Sequence, residues 1–470
     1  MVMGQSMHST EVLVIGAGPG GYTAAIRAAQ LGFDVTLVDA KGELGGMCLH
    51  HGCIPTKSLI HAVGLFYEAK NASGLGIEYD NLRLNYSQTV AWKDSVVNKL
   101  SGGITSLCKQ HNITVIKAQA QFQNSNQVVL HGEDLETNGV EFRYCVIATG
   151  SKPRELPWAA FGGRVLTSWD VITLESVPEK LVVVGGGYIG VELGVMLAKA
   201  GCEVTIIEGT NRILSVVEEE VALVAQNNLE KLGVRLLLET KVEAVESRED
   251  SVLVRAGGEE FVADYALVAI GHVPVTESLQ LELAGVTLTE RGFVGVDEQC
   301  RTSQKNIFAV GDVAGGVMLA HKASAQGKVA AEAIADLPSA FDQVAIPIVV
   351  FSDPEIAAVG LHEQEAREQY GEGIKVGSFP YTALGKAVSL NQTDGLVKFI
   401  SDENDVLLGI HGVGPGITDY IAEMALALEM GATAEDIALT IHPHPTLSES
   451  LNEAAESLLG QAIHLYPPKK

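Results

Sequence analysis

The chain has 470 residues, 47% hydrophobic and 19% charged, a globular composition with room for about three domains. With 32 basic and 58 acidic side chains the net charge is −26, which disfavours nucleic acid and anionic membrane surfaces as partners and favours a basic one. No run of about 18 apolar residues reads as a membrane span, and the first ten residues lack the basic and apolar regions of a secretory signal.

Cysteine use points the same way. Cys48, Cys53, Cys108, Cys145, Cys202 and Cys300 are too scattered for a secreted disulfide framework. A reducing, cytoplasmic setting is expected, where a disulfide is more readily catalytic than structural.

Residues 11–39 open the pattern: a β-branched apolar run meets Gly16, Gly18 and Gly21, an Ala-rich helical stretch follows, and a second apolar run ends on Asp39. In such a turn the first Gly allows the tight bend, the second lets backbone approach a pyrophosphate, and the third lets helix and strand pack closely. Asp39 is placed to meet ribose hydroxyls.

Residues 45–57, G-G-M-C-L-H-H-G-C-I-P-T-K, come next. Five residues of regular helix rise about 7.5 Å, too far for a disulfide, so Cys48 and Cys53 can bond only if Gly52 bends the segment. Pro55 suits a first helical turn, which sets Cys53 near a helix N-terminus, where a thiolate is stabilised. A redox-active pair is favoured over a Cys/His zinc site or two unpaired core cysteines.

The strand–turn–helix–strand pattern recurs at 181–208 with Gly185, Gly187 and Gly190, and Glu208 stands in the acidic position at the same spacing as Asp39. Two copies are a strong dinucleotide signal, although one could be a nucleotide-free remnant. A carboxylate at Glu208 disfavours a 2′-phosphate by about 1–4 kcal/mol at 4 Å, so NAD is expected over NADP, with nearby Arg212 softening the preference.

Strand-like runs at 144–150, 265–271 and 306–312 each end in a Gly turn, which suggests that the first dinucleotide unit is discontinuous. The expected division is 1–150 for the first unit, 151–275 for the second, 276–346 for the completion of the first, and 347–470 for a third, α+β domain. The fold class is α/β with two Rossmann-like units. Near the end, H-P-H-P-T-L-S-E at 442–449 holds its histidines on a Pro-stiffened arm with Glu449 five residues beyond His444, a pairing suited to acid–base work once a thiol is near.

Together, the two fingerprints, G-G-x-C-x-x-x-x-C-x-P-x-K, A-T-G, a late G-D and H-P-T-x-S-E resemble the flavin-dependent pyridine nucleotide–disulfide oxidoreductases nearly end to end. The resemblance implies FAD on the first unit, with Gly16, Gly18, Gly21, Asp39, Gly46, Lys57, Ala120, Gly150, Asp312 and Ala320 around it. It implies NAD on the second, with Gly185, Gly187, Gly190, Glu208, Val242 and Gly271. Cys53 becomes the flavin-side charge-transfer thiol and Cys48 the interchange thiol. Lys57 and Glu192 become an ion pair near the flavin, and His444 with Glu449 an acid–base supplied by the other subunit, hence a homodimer. No metal is implied.

Within the family the residues favour the branch that oxidises a protein-bound dihydrolipoyl group with NAD⁺, shared by 2-oxo acid dehydrogenase complexes or the glycine cleavage system. Its partners would be a lipoyl-bearing carrier and a basic docking segment of an acyltransferase subunit. Alternatives are an NADH-dependent reductase of another disulfide or a quinone, and a flavoprotein scaffold without turnover. The absence of any Cys beyond Cys300 separates the chain from mercuric reductases and large thioredoxin reductases. Asp39 replaces the family's usual Glu, His50 and His51 its Asn-Val, and His272 its Arg.

Overall fold

The computed structural model describes residues 7–133 and 135–466. The chain begins with β1 (Met7–Ile15), whose second half is buried on both faces, as a central parallel strand must be. Then come α1 (Pro19–Gln30), β2 (Val35–Asp39), α2 (Gly46–His50), α3 (Cys53–Lys70), α4 (Tyr86–Gln110), β3 (Thr114–Lys117), β4 (Gln119–Asn124), β5 (Gln127–His131) and β6 (Gly139–Ile147). These strands form a sheet in the order β3-β2-β1-β6-β5-β4, parallel through β6 and antiparallel beyond it. Pro19 starts α1, where a missing N–H costs nothing, and Ala24, Ala25 and Ala28 give the helix a thin buried face.

The chain leaves through β7 (Ser151–Pro153) into a second unit: β8 (Val165–Leu166), α5 (Ser168–Val171), β9 (Lys180–Val184), α6 (Tyr188–Lys199), β10 (Glu203–Ile207), α7 (Glu219–Lys231) and β11 (Arg235–Leu237). An antiparallel set β12 (Val242–Ser247), β13 (Val252–Ala256) and β14 (Glu259–Ala263) precedes β15 (Tyr265–Val268). The order β11-β10-β9-β15-β8 is wholly parallel. The return strand β16 (His272–Pro274) pairs with β7, so entry to and exit from this unit form one two-stranded ribbon.

β17 (Ile307–Ala309) then docks parallel on β6, with Ile307 opposite Cys145, and completes the first sheet; α8 (Ala320–Ile334) packs beside α1. The C-terminal part is an antiparallel sheet of β18 (Ile348–Val350), β19 (Ile356–Gly360), β20 (Lys375–Pro380), β21 (Leu396–Ser401) and β22 (Leu407–Val413), in the order β18-β19-β22-β21-β20, backed by helices that include Glu449–Leu458. This is the expected α/β class with two Rossmann-like sheets and a C-terminal α+β unit. One apolar cluster joins Leu59 and Val63 of α3, Val191 and Val195 of α6, and Val350 and Ile356 of the C-terminal sheet, so the Cys-bearing helix is held by all three parts. Among the described residues no helix is long and apolar enough to cross a membrane.

Candidate active site

A cleft of ≈ 380 Å³ collects residues from both Rossmann-like units, including Gly16, Gly18, Asp39, Cys48, Cys53, Lys57, Glu192 and Asp312. Its thiols are brought together by a break in the helix. α2 stops at His50, Gly52 takes φ −137° and ψ −105°, and α3 restarts with Cys53 as its first residue. A Cβ on Gly52 would sit 3.3 Å from the Met47 carbonyl oxygen and 3.6 Å from Cys48 Cα, which measures how tightly the chain folds back.

The break sets Cys48 and Cys53 side by side, close enough for each sulfur to shift the other's titration. The Cys48 thiol donates to the Cys53 sulfur, and this bond, helped by the Lys57 ammonium and a backbone N–H against the cost of burial, pulls the Cys53 pKa down. The same bond and burial push Cys48 up. The two sulfurs thus titrate as one linked pair, with Cys53 the member that Lys57 and the start of α3 favour as thiolate.

Lys57 Nζ lies 2.7 Å from Glu192 Oε2, and Glu192 is 3% exposed. Glu192 Oε1 accepts the Phe351 backbone N–H at 2.9 Å, and Lys57 Nζ stands 4.8 Å from the Phe351 ring centroid, so three parts of the chain meet at this ion pair.

The two fingerprint turns are built alike. A Cβ on Gly21 would lie 1.8 Å from the Gly16 carbonyl oxygen, and one on Gly190 2.2 Å from that of Gly185. Gly46 presses on the first turn, since its Cβ would come 2.5 Å from Gly18 Cα, whereas Gly18 itself has open space. Gly21→Ala should therefore push α1 off β1; overpacking of this kind costs about 1–3 kcal/mol or more, so the variant should melt below wild type. An unchanged melting temperature would contradict this packing.

Asp39 Oδ2 accepts the Ala17 N–H at 3.0 Å while Oδ1 accepts the amides of Lys41, Gly42 and Glu43. Glu208 repeats this: Oε2 accepts the Gly186 N–H at 2.6 Å, and Oε1 takes the Thr210 amide and hydroxyl. Each acid thus braces its own glycine turn. Arg212 donates to the Ser215 carbonyl.

Gly150, Ala320 at the start of α8, and His272 of β16 also line the cleft, and burial pushes the His272 pKa down against the pull of Asp312. Gly271, at φ +104°, precedes His272 and accepts the Arg154 N–H. The side chain of Ala120, on β4, packs in the core with Phe122, Val128 and Leu130, and that of Val242, on β12, with Val254 and Phe261.

Of the two histidines between the cysteines, His51 lines the cleft, stacked on Trp169 at 5.1 Å and 3.0 Å from Glu43 Oε2, whereas the His50 ring is taken by the Leu44 carbonyl. His444 Nδ1 meets Glu449 Oε1 at 2.8 Å, and Glu449 Oε2 accepts the Thr446 N–H, which fixes the ring on its arm. That ring is 77% exposed and is absent from the lining of its own chain's cleft.

Sequence reasoning missed Ser151, whose hydroxyl donates to Asp312 Oδ2 at 2.6 Å, and Lys322, 4% exposed in α8 and hydrogen-bonded to the carbonyls of Gly311 and Gly315. Ser151 carries no local signal, since its partner lies 161 residues away, and Lys322 none because its partners are backbone carbonyls of a nearby turn.

A dithiol at a helix start, beside a cleft shared by two glycine-turn sheets, defines a dinucleotide-dependent thiol–disulfide oxidoreductase. The chain belongs to the pyridine nucleotide-disulphide oxidoreductase family: residues 10–327 match its main domain and residues 346–455 its dimerisation domain. A dihydrolipoyl dehydrogenase of Geobacillus stearothermophilus is 49% identical over 471 residues, 99% of each chain. Among solved structures, LpdA of Mycobacterium tuberculosis aligns with a TM-score of 0.89 at 29% identity, over 95% of this chain and 99% of that one. The HOCl-induced flavoprotein disulfide reductase RclA of Escherichia coli aligns at 0.86 and 29%, with the same coverage.

Proposed function

We propose that this protein oxidises a protein-bound dihydrolipoyl group and delivers the electrons through FAD to NAD⁺. The observation that carries the reading is the Cys48/Cys53 pair brought together at the break between α2 and α3 beside the Lys57–Glu192 ion pair, in a chain similar along its whole length to dihydrolipoyl dehydrogenases. Residues 1–150 with 276–346 would hold FAD, 151–275 NAD, and 347–470 the dimer interface; β17 on β6 and the β7–β16 ribbon support that division.

The cleft suits a dinucleotide. Gly18 is open, the first turn of α1 presents its amides, and Asp39, Asp312 and Ala320 line the same space. Once bound, the flavin supplies the two-electron relay between thiols and nicotinamide. The remaining work falls to the chain's own groups. In the oxidised enzyme a dihydrolipoyl thiolate attacks Cys48 of the Cys48–Cys53 disulfide and releases Cys53 as a thiolate, which Lys57 and the start of α3 stabilise. The partner subunit's His444, oriented by Glu449, takes the proton of the second lipoyl thiol. That sulfur displaces Cys48, so the lipoyl disulfide forms as the enzyme disulfide is reduced.

The decisive assay is anaerobic NAD⁺ reduction by dihydrolipoamide. Fast turnover is expected; flavin reduction by other dithiols but not by dihydrolipoamide would move the protein to another disulfide substrate. The −26 charge suggests a lipoyl carrier system with a basic docking segment. Its association rate should fall as ionic strength rises, and an on-rate independent of salt would exclude that partner chemistry.

A further inference from the structure

Away from the cleft, where the start of α7 meets the C-terminal sheet, Glu218, His362 and His411 each offer a ligand atom, all within 4.8 Å of one another. His411, on β22, is 1% exposed. Its Nε2 lies 2.9 Å from the Leu361 carbonyl oxygen, which fixes the tautomer and leaves Nδ1 with a lone pair. That Nδ1 is buried without a hydrogen-bond partner among the described residues, a state that burial penalises. The His362 ring lies 4.9 Å from the His411 ring, and its Nδ1 is 3.9 Å from Glu218 Oε1.

We propose that Glu218, His362 and His411 form a binding site for one divalent transition-metal ion, zinc by donor set, that ties the second Rossmann-like unit to the C-terminal sheet. Two imidazoles and a carboxylate match zinc's preferred ligands and leave a fourth position for water. A buried imidazole with its other nitrogen on a backbone carbonyl is the usual arrangement of a metal-bound histidine. His362, 27% exposed at its side chain, gives the ion its entry.

The charges around the site permit this. Lys398, 2% exposed, contacts Glu363 at 2.6 Å, Glu220 at 3.4 Å and Glu218 Oε2 at 3.5 Å, and Arg367 pairs with Glu363. Three carboxylates thus face two cations, which leaves a negative surplus for the ion. Lys398 sits on Oε2 of Glu218, while Oε1, which also accepts the Glu363 backbone N–H and keeps a second lone pair, faces His362.

The test uses the FAD-loaded, disulfide-form enzyme, stripped with a chelator and titrated with zinc against a chromophoric competitor. One zinc per chain is expected, with a thermal midpoint that rises with zinc concentration. His362→Ala, at a partly exposed position that should tolerate it, should weaken binding about a hundredfold, more than the about tenfold minimum seen when a ligand loses its hydrogen-bond partner, and should cancel the thermal shift. His411→Ala should do the same. Absence of saturable binding, equal affinity in His362→Ala, or loss of binding in Cys48→Ser instead would overturn the site. Dihydrolipoamide oxidation by metal-free His362→Ala should match wild type, which keeps this test separate from that of the proposed activity.

Discussion

Cys48→Ser should lower dihydrolipoamide-dependent NAD⁺ reduction by on the order of a thousandfold or more while leaving FAD bound, because a serine hydroxyl can neither form the disulfide nor attack one. Its hydroxyl still donates to Cys53, so the neighbouring thiolate should persist and give a long-wavelength flavin band. The pH dependence of that band has a definite sign. Cys53 is depressed chiefly by the hydrogen bond from Cys48, so the band should survive below the ordinary thiol range and fade as pH falls through the Cys53 value. Cys48→Ala removes the donor and should move the fading point to higher pH. Substantial turnover in Cys48→Ser, or identical titrations of the two variants, would refute the assignment.

His444→Gln should cost about 10²–10⁴ in turnover, the range of a positioned acid–base, with Glu449→Gln costing less because the ring remains. The more telling experiment mixes subunits. The His444 ring is exposed on its own chain and absent from that chain's cleft, as expected if a second copy completes each site. A heterodimer of one His444→Gln and one Cys48→Ser subunit carries one complete site, and random mixing of the two inactive enzymes should restore about a quarter of wild-type activity. No recovery on mixing, with heterodimers shown to form, would place the acid–base elsewhere.

Short-range features are legible in the order of residues alone. The glycine turns, the start of α3 at Cys53, the bend at Gly52 and the meeting of His444 with Glu449 all lie within a few residues of their partners, where steric limits and helix geometry leave few choices. Spacing assigns the two acids only to ribose. The structure adds that Asp39 and Glu208 hold their own turns through backbone amides, a detail of loop closure that spacing does not reveal.

What tertiary structure decided lies at long separation. Ser151 reaches Asp312 across 161 residues, Lys57 reaches Glu192 across 135, and Glu192 takes an amide 159 residues further on. The family pattern implied the second of these contacts; the other two come from sheet closure by β17 and from the docking of the C-terminal segment. The sequence by itself determined the local backbone and the chemistry available at each turn. Only the packed sheets decided which of those groups share a cleft, because the burial that joins distant strands is non-directional and acts on the whole apolar surface at once.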